Sequence, residues 1–218
     1  ACYYEPENTL RSFRKALQLK AKLIECDVRL TKDKQVVIVH DKNVDRTTNG
    51  KGRVEEFTLK ELRNLNAGKN ERIPTLQEYI DLLKDKAIMI IELKKCKNIV
   101  EETIKIIKKN KVQDKVILLS FYGTYLKKAN KLDENTKTGF LSVHTQLAIK
   151  RAKFCKAHFI GIYHRFATKE FIEKCHKNNF KVFAYESARE NLNEKQIKRL
   201  ISLGLNGIAL NKPITKHL

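Results

Sequence analysis

The stretch Leu23-Ile24-Glu25-Cys26-Asp27-Val28 indicates how this chain folds, because it sets two acidic residues into an otherwise apolar strand. Residues two apart on a strand share a face, so Glu25 and Asp27 point the same way. Like charges side by side in an apolar strand are costly unless a cation lies between them. The alternative is an edge strand with a solvated acidic face, which the flanking apolar residues disfavour.

Outward from this stretch, short β-branched runs alternate with longer amphipathic segments along the whole chain. This alternation is typical of βαβ units and a parallel sheet. The predicted strands are residues 23–28, 36–40, 87–93, 116–120, 138–141, 159–163, 181–185 and 207–210. The predicted helices include residues 8–19, 76–84, 99–109, 169–178 and 194–203.

Two α/β folds have this order of elements, a closed (β/α)8 TIM barrel and an open doubly wound sheet. The glycine-rich phosphate loops that are usual in nucleotide-binding open sheets do not occur in the sequence, so we predict the TIM barrel. Residues 1–218 are long enough for a single domain of this kind. Residues 41–73 contain Asn49-Gly50, Gly52 and Gly68, and we expect them to form a short insertion at the barrel rim rather than a second domain.

The composition favours anionic ligands, since 45 basic residues against 25 acidic ones give a formal charge of +20. The basic residues are spread along the chain and no zinc-finger or RNA-binding signature occurs, so nucleic acid is not an expected partner. Peripheral contact with an anionic membrane stays open, and the sequence does not indicate an oligomeric state. The 5 cysteines stand singly, without C-x-x-C spacing, and predict free thiols in a reducing, cytoplasmic environment.

Further chemical groups fall at the ends of neighbouring strands, which form the mouth of a barrel where active sites lie. His40 ends the strand 36–40; such a histidine is usually structural, but an acidic pair one strand away favours a chemical role. Glu92 and Lys94 share a face after an apolar run, so a third carboxylate reaches the mouth. Oxygen ligands suit Mg²⁺ or Ca²⁺, and Lys94 would contact a phosphate oxygen. A structural Glu92–Lys94 ion pair would explain the same spacing.

The other histidines carry less information. His164 ends the strand 159–163 and is predicted to face substrate. His144, His158, His176 and His217 have no acidic or thiol partner at metal-ligand spacing, so we expect structural or surface roles for them and no zinc site.

The order of these signals resembles the glycerophosphodiester phosphodiesterases. The match is dense in the first third of the chain and thinner downstream. Its pieces are Pro6-Glu7-Asn8-Thr9, Glu25-Cys26-Asp27-Val28, Thr31-Lys32-Asp33, Val39-His40-Asp41, Asp45-Arg46-Thr47-Thr48-Asn49-Gly50-Lys51-Gly52, Ile73-Pro74-Thr75-Leu76 and Glu92-Leu93-Lys94.

The resemblance implies a TIM barrel that hydrolyses glycerophosphodiesters to glycerol 3-phosphate and an alcohol. It implies a divalent metal, Mg²⁺ or Ca²⁺, on Glu25, Asp27 and Glu92, and an acid/base role for His40. In the family a second such histidine lies in a His-Arg-Gly that ends the first barrel strand. That strand precedes the part matched by residues 1–6, so we expect the sequence given to begin after it.

Counting that first strand places the insertion 41–73 after the third barrel strand. It also leaves nine strand candidates for eight places, of which 138–141 is the weakest. Tyr185-Glu186 stands where the family usually has Trp-Thr-Val-Asn, and we predict that Tyr185 contacts substrate on the alcohol side.

Two further functions are consistent with these residues. A lysophospholipase D or sphingomyelinase D resembles the same barrel and would need an apolar groove for acyl chains. A catalytically silent barrel that binds phosphodiesters or anionic surfaces would account for the charge.

Overall fold

The computed structural model describes residues 1–188 and 190–213, so His217 lies outside the described residues. Its strands form one eight-stranded sheet in the order β2-β1-β3-β4-β5-β6-β7-β8. The strands are β1 (Leu23–Leu30), β2 (Val36–Ile38), β3 (Ile88–Leu93), β4 (Val116–Ser120), β5 (Lys137–Ser142), β6 (Phe159–Tyr163), β7 (Lys181–Tyr185) and β8 (Gly207–Ala209). The helices are α1 (Leu10–Gln18), α2 (Leu59–Leu62), α3 (Leu76–Leu83), α4 (Ile99–Asn110), α5 (Gly123–Leu132), α6 (Ala148–Phe154), α7 (Lys169–Lys177) and α8 (Glu194–Ser202).

The sheet curls with its helices on the outer face, and the core lies between the two layers. Alternate residues of β1, Ile24, Cys26 and Val28, pack with residues of α1, α3 and α4 in one buried cluster. A second cluster joins β5, β6 and β7 to α6 and α7. The residues between these outward-facing ones therefore point to the inside of the curl. None of the helices in the described ranges is long and apolar enough to cross a bilayer.

The predicted barrel strand at 36–40 needs correction. β2 pairs antiparallel with β1, with Val28 opposite Ile38 and Leu30 opposite Val36, so it is the return strand of a hairpin. The candidate at 138–141 is instead a full strand, β5, parallel to both β4 and β6. β1 and β3 to β8 thus supply the parallel strands, and within 1–188 and 190–213 β8 does not pair with β1.

Glycines on the inner face make room for large neighbours. A Cβ atom on Gly161 would lie 2.5 Å from Cδ2 of Leu141, and one on Gly139 would lie 2.5 Å from Cδ2 of Leu119. These leucines fill the interior from adjacent strands, as side chains do in barrels of this size. Where these leucines lie, the interior of the curled sheet is therefore packed with side chains and is not a channel.

Residues 41–73 fold back over the β1–β2 hairpin. Val37 and Val39 of the hairpin pack with Val44, Val54 and other residues in a small buried cluster of their own. Thr58 and Thr75 begin α2 and α3, and each exchanges hydrogen bonds with a glutamate three residues on. Residues 41–73 thus form a compact element that packs against the hairpin.

Candidate active site

Three carboxylates from two neighbouring strands meet inside the curled sheet. Glu25 and Asp27 lie on β1 and Glu92 on β3, where the parallel register sets Asp27 opposite Glu92. One oxygen from each side chain lies within 4.8 Å of the others. The strand period that predicted this meeting from the sequence explains it in the structure, because all three side chains occupy the inner face.

Lys94 lies against two of these acids. Its Nζ is 2.9 Å from Oδ1 of Asp27 and 2.7 Å from Oε1 of Glu92, and its side chain is only 12% exposed. Burial alone would lower the pKa of Lys94, but the two carboxylates outweigh it and raise the pKa above its usual range. The ion pair between Glu92 and Lys94 is therefore present, and the contact of Lys94 with a phosphate oxygen stays a prediction.

The carboxylates divide into one that is easily ionised and two that are not. Burial opposes the ionisation of Asp27, but Lys94, His40 and a hydrogen bond from Asn8 keep its pKa below the usual value. Burial and repulsion from Asp27 raise the pKa of Glu92. Partial desolvation by the neighbouring protein atoms and repulsion from the other two acids raise the pKa of Glu25 well above its usual value. The side chain of Glu25 is nevertheless exposed to solvent, so we attribute its shift chiefly to the repulsion.

The donor set fits a hard divalent cation. All three groups offer carboxylate oxygen, the ligand type that Mg²⁺ and Ca²⁺ prefer. Lys94 balances only part of the negative charge, which is why two of the three acids keep raised pKa values. A divalent cation would supply the missing positive charge at this place.

His40 reaches the carboxylates because the hairpin turns back. The backbone N–H of Val39 donates to the carbonyl oxygen of Asp27 at 2.9 Å, so His40 follows at the level of the acids. Its Nδ1 lies 2.7 Å from Oδ1 of Asp41, and its carbonyl oxygen accepts from Arg29 at 2.8 and 3.1 Å. Among the hydrogen bonds of the described residues, none involves Nε2, and the side chain is 41% exposed. The ring is thus fixed at one nitrogen and open at the other.

A guanidinium group holds Asp41 in turn. Arg46 donates from Nε to Oδ2 of Asp41 at 2.7 Å and from two nitrogens to both oxygens of Glu7, each at 2.7 Å. The charge and hydrogen bonds of Arg46, with a hydrogen bond from His40, keep the pKa of Asp41 well below its usual range. We call this set of three residues, Glu7, Arg46 and Asp41, the Arg46 clamp. It connects the loop before α1 with the segment after β2.

Sequence reasoning gave no role in the site to the clamp or to Asn8. The amide of Asn8 donates to Oδ2 of Asp27 at 2.8 Å, and its backbone has a left-handed φ of 55°. Asparagine tolerates this conformation better than most residues, so an Asn directly before the helix-capping Thr9 was the available signal. Nothing in the local pattern shows that Asn8 meets Asp27, 19 positions away.

The two remaining predicted residues lie further round the curl. Tyr185 donates to the carbonyl oxygen of Ser142 at 3.2 Å, and burial with the charge of Glu92 raises the pKa of its hydroxyl. Tyr185 therefore faces the same interior as the acids. His164 is buried just after β6, with Nε2 3.4 Å from Oε2 of Glu190. In the described part of the chain no ion pair links it to the three acids, and its contact with substrate stays a prediction.

Comparison with known proteins gives a consistent set of relatives. The family model described as the glycerophosphoryl diester phosphodiesterase family matches residues 1–215. A glycerophosphodiester phosphodiesterase of Caldanaerobacter subterraneus is 36% identical over 229 residues, which cover 96% of this chain and 90% of that protein. A putative glycerophosphodiester phosphodiesterase of Bacillus subtilis is 33% identical with the same coverage of 96% and 90%.

Solved structures agree with the sequence relatives. A phosphodiesterase from Oleispira antarctica, in complex with the product sn-glycerol-3-phosphate, is 30% identical with a TM-score of 0.86, over 94% of this chain and 87% of that one. A putative glycerophosphodiester phosphodiesterase from Galdieria sulphuraria has a TM-score of 0.87 at 22% identity, over 95% and 88%. These likenesses confirm the predicted α/β barrel of the TIM type.

Proposed function

This chain belongs to the glycerophosphoryl diester phosphodiesterase family, and on that premise we propose that it hydrolyses glycerophosphodiesters to glycerol 3-phosphate and an alcohol with a bound divalent cation. Its relatives make it a phosphoric diester hydrolase. The observation that carries the finer proposal is the cluster of Glu25, Asp27 and Glu92 beside Lys94. The glycerol 3-phosphate bound to the relative from Oleispira antarctica supports the same product here.

Glu25, Asp27 and Glu92 would hold Mg²⁺ or Ca²⁺. Bound there, the cation supplies Lewis-acid stabilisation of the negative charge that develops on the phosphate oxygens. Lys94 contributes a second positive charge at the same place, with its ammonium donating to a nonbridging oxygen. Asn8 orients Asp27, because its amide occupies the carboxylate oxygen that Lys94 does not contact.

His40 would carry a proton transfer of the reaction. With its Nδ1–H donating to Asp41, its Nε2 is left with a free lone pair that can take a proton or, once protonated, give one to an ester oxygen. Within the Arg46 clamp, Arg46 holds Asp41 and so fixes the orientation of the His40 ring. Tyr185 and His164 are proposed as substrate contacts on the far side of the interior.

The two alternative functions receive less support. An acyl chain would need an apolar groove beside the phosphate site, whereas the cavity beside His40 is lined by many basic residues. A silent binder would not need the ordered His40–Asp41–Arg46 chain. We also propose a single domain over 1–218 and a reducing, cytoplasmic environment, with which the 5 free cysteines are consistent.

The test is an assay of glycerol 3-phosphate release from glycerophosphocholine, with lysophosphatidylcholine as the competing substrate. We expect release that stops with EDTA and returns with Mg²⁺ or Ca²⁺. Activity that persists in EDTA would refute the metal, and turnover of the lipid alone would favour the lysophospholipase D activity.

A further inference from the structure

A cavity of about 960 Å³ opens beside the candidate active site. His40 and Lys94 line it, whereas Glu25, Asp27 and Glu92 do not. A phosphate bound between the carboxylates and these two side chains would therefore direct one of its ester arms into the cavity. Glycerol is much smaller than this space, which is at the upper end of the range for small-molecule sites, so the arm is the variable alcohol.

Positive charge dominates the lining of this cavity. Six of its side chains are basic and only two, Asp41 and Glu55, are acidic. Asp41 is already bound by Arg46, which does not line the cavity, and Glu55 is bound by Arg53. The basic residues are Arg29, Lys42, Arg53, Lys94, Lys95 and Lys97.

Four of these cations have no acidic partner in residues 1–188 and 190–213, and the side chains of three of them have no hydrogen bond there either. Lys94 is paired within the active site, and Arg29 donates to the carbonyl oxygen of His40. Lys42, Lys95 and Lys97, by contrast, have no carboxylate oxygen within 4.0 Å in residues 1–188 and 190–213. Unpaired ammonium groups around a concave space raise its affinity for anions.

The backbone that carries these lysines is held in place on both walls. On one wall, the N–H of Val54 donates to the carbonyl oxygen of Lys42 at 2.9 Å. On the other, the hydroxyl of Tyr125 accepts from the N–H of Cys96 at 3.2 Å and donates to its carbonyl oxygen at 3.0 Å. The backbone beside the two lysines that flank Cys96 is therefore fixed, which lowers the entropy cost of ordering these lysines around a ligand.

We propose that this cavity receives the alcohol arm of the diester and selects alcohols that carry a phosphate group of their own. The inference rests on the proposed function, since it concerns the same phosphate site. A second phosphate would lie among Lys42, Lys95 and Lys97, which offer the charged hydrogen-bond donors that phosphate oxygens accept. A neutral or cationic alcohol would leave these ammonium groups unpaired.

A small phosphorylated ligand fits this cavity better than a membrane surface does. Its lysines come from two loops that line one concave space, whereas peripheral membrane contact needs cations that project together from one surface. These lysines also line the same cavity as His40 and Lys94.

The experiment compares sn-glycero-3-phosphoinositol with the same compound phosphorylated on the inositol ring. We expect kcat/KM to be about tenfold or more higher for the phosphorylated substrate, as for the gain of a charged hydrogen bond. In the double variant Lys42→Gln/Lys97→Gln this ratio should fall to near one. The control Lys105→Gln/Lys109→Gln removes the same charge from the exposed side of α4 and should keep the wild-type ratio.

The outcomes separate the two proposals. A wild-type ratio near one, or an unchanged ratio in the double variant, would overturn the inference while hydrolysis itself still supports the proposed function. If neither substrate is hydrolysed, the proposed function fails; calorimetry with inositol monophosphate then decides the inference, which requires weaker binding by the double variant than by the control. If the double variant loses binding to vesicles that contain phosphatidylglycerol but keeps its binding of inositol monophosphate, the lysines contact a membrane surface and the inference is overturned.

Discussion

Arg46 and Glu7 face each other through two parallel hydrogen bonds of 2.7 Å, although they lie 39 positions apart in the sequence. The same guanidinium binds Asp41, which binds His40. The orientation of His40, the predicted acid/base group, thus depends on Arg46, which acts on it through Asp41.

We expect Arg46→Lys to lower kcat about 10-fold to 100-fold with little change in KM, because an ammonium group cannot hold both carboxylates in the planar fork geometry. Steady-state kinetics on glycerophosphocholine measures this. Arg63→Lys is the control, since Arg63 is paired with Glu78 and is 29% exposed, against 30% for Arg46. An unchanged kcat in Arg46→Lys would contradict the positioning role.

Lys94→Met should destabilise the metal-free protein by about 3 kcal/mol, because it leaves the buried acids Asp27 and Glu92 without their cation. Urea unfolding in EDTA measures the loss, and Mg²⁺ or Ca²⁺ should recover more stability in the variant than in the wild type. Lys128→Met removes an exposed pair with Glu101 and should cost less than about 1 kcal/mol. Equal losses of unfolding free energy in the two variants would show that the buried contacts of Lys94 stabilise the protein no more than an exposed ion pair does.

Glu25→Gln and Glu92→Gln should each weaken the binding of Mg²⁺ or Ca²⁺ at least about tenfold and lower kcat in parallel, because a charged oxygen ligand is lost. Titration calorimetry and kinetics at several metal concentrations measure both effects. Glu170→Gln on the exposed side of α7 is the control. Wild-type metal affinity in both variants would show that Glu25 and Glu92 do not bind the metal.

Stability should fall in acid partly through Asp41, whose pKa in the folded state is well below its usual value of about 3.9. A depressed carboxyl pKa stabilises the fold above the usual pKa, and this contribution is lost as pH falls towards the folded value. Asp41→Asn should therefore be less stable than the wild type at pH 6, by about 1 kcal/mol after solvent screening of a side chain that is 32% exposed. Thermal unfolding should show the difference shrinking from pH 5 to about pH 2; a constant difference would speak against it.

Gly161→Ala should cost about 1–3 kcal/mol, since the new methyl group would lie 2.5 Å from Cδ2 of Leu141 and would force it to move. Gly123→Ala is the matched control. Gly123 is the first residue of α5, and a Cβ atom added there would have neighbours no closer than 3.7 Å. Chemical unfolding of both proteins should place only Gly161→Ala below the wild type.

The residues that were predictable are those whose placement follows from local period. Glu25, Asp27 and Glu92 share the inner face because of strand alternation, and this needs no knowledge of distant contacts. The direction of β2 was not predictable in the same way, since a short β-branched run reads alike in parallel and antiparallel pairs. Its hairpin turn has no Asn-Gly signal; Lys34 takes the left-handed conformation instead, with a φ of 59°.

The contacts that complete the site were not predictable because they join distant segments. Asn8 meets Asp27 across 19 positions and Arg46 meets Glu7 across 39. Such contacts depend on how the hairpin and the insertion pack, not on any repeat in the chain. The contact of Tyr185 with substrate was inferred from the resemblance and stays a prediction.

The bridge that Lys94 makes between Asp27 and Glu92 also bears on the order in which the enzyme is assembled. A cluster of acids without an internal counterion would resist closure until an ion arrived, and folding would then depend on metal supply. Because the chain provides its own cation, we expect it to reach its final shape first and to load the metal afterwards. Release of the ion should then leave a folded protein that can bind the ion again.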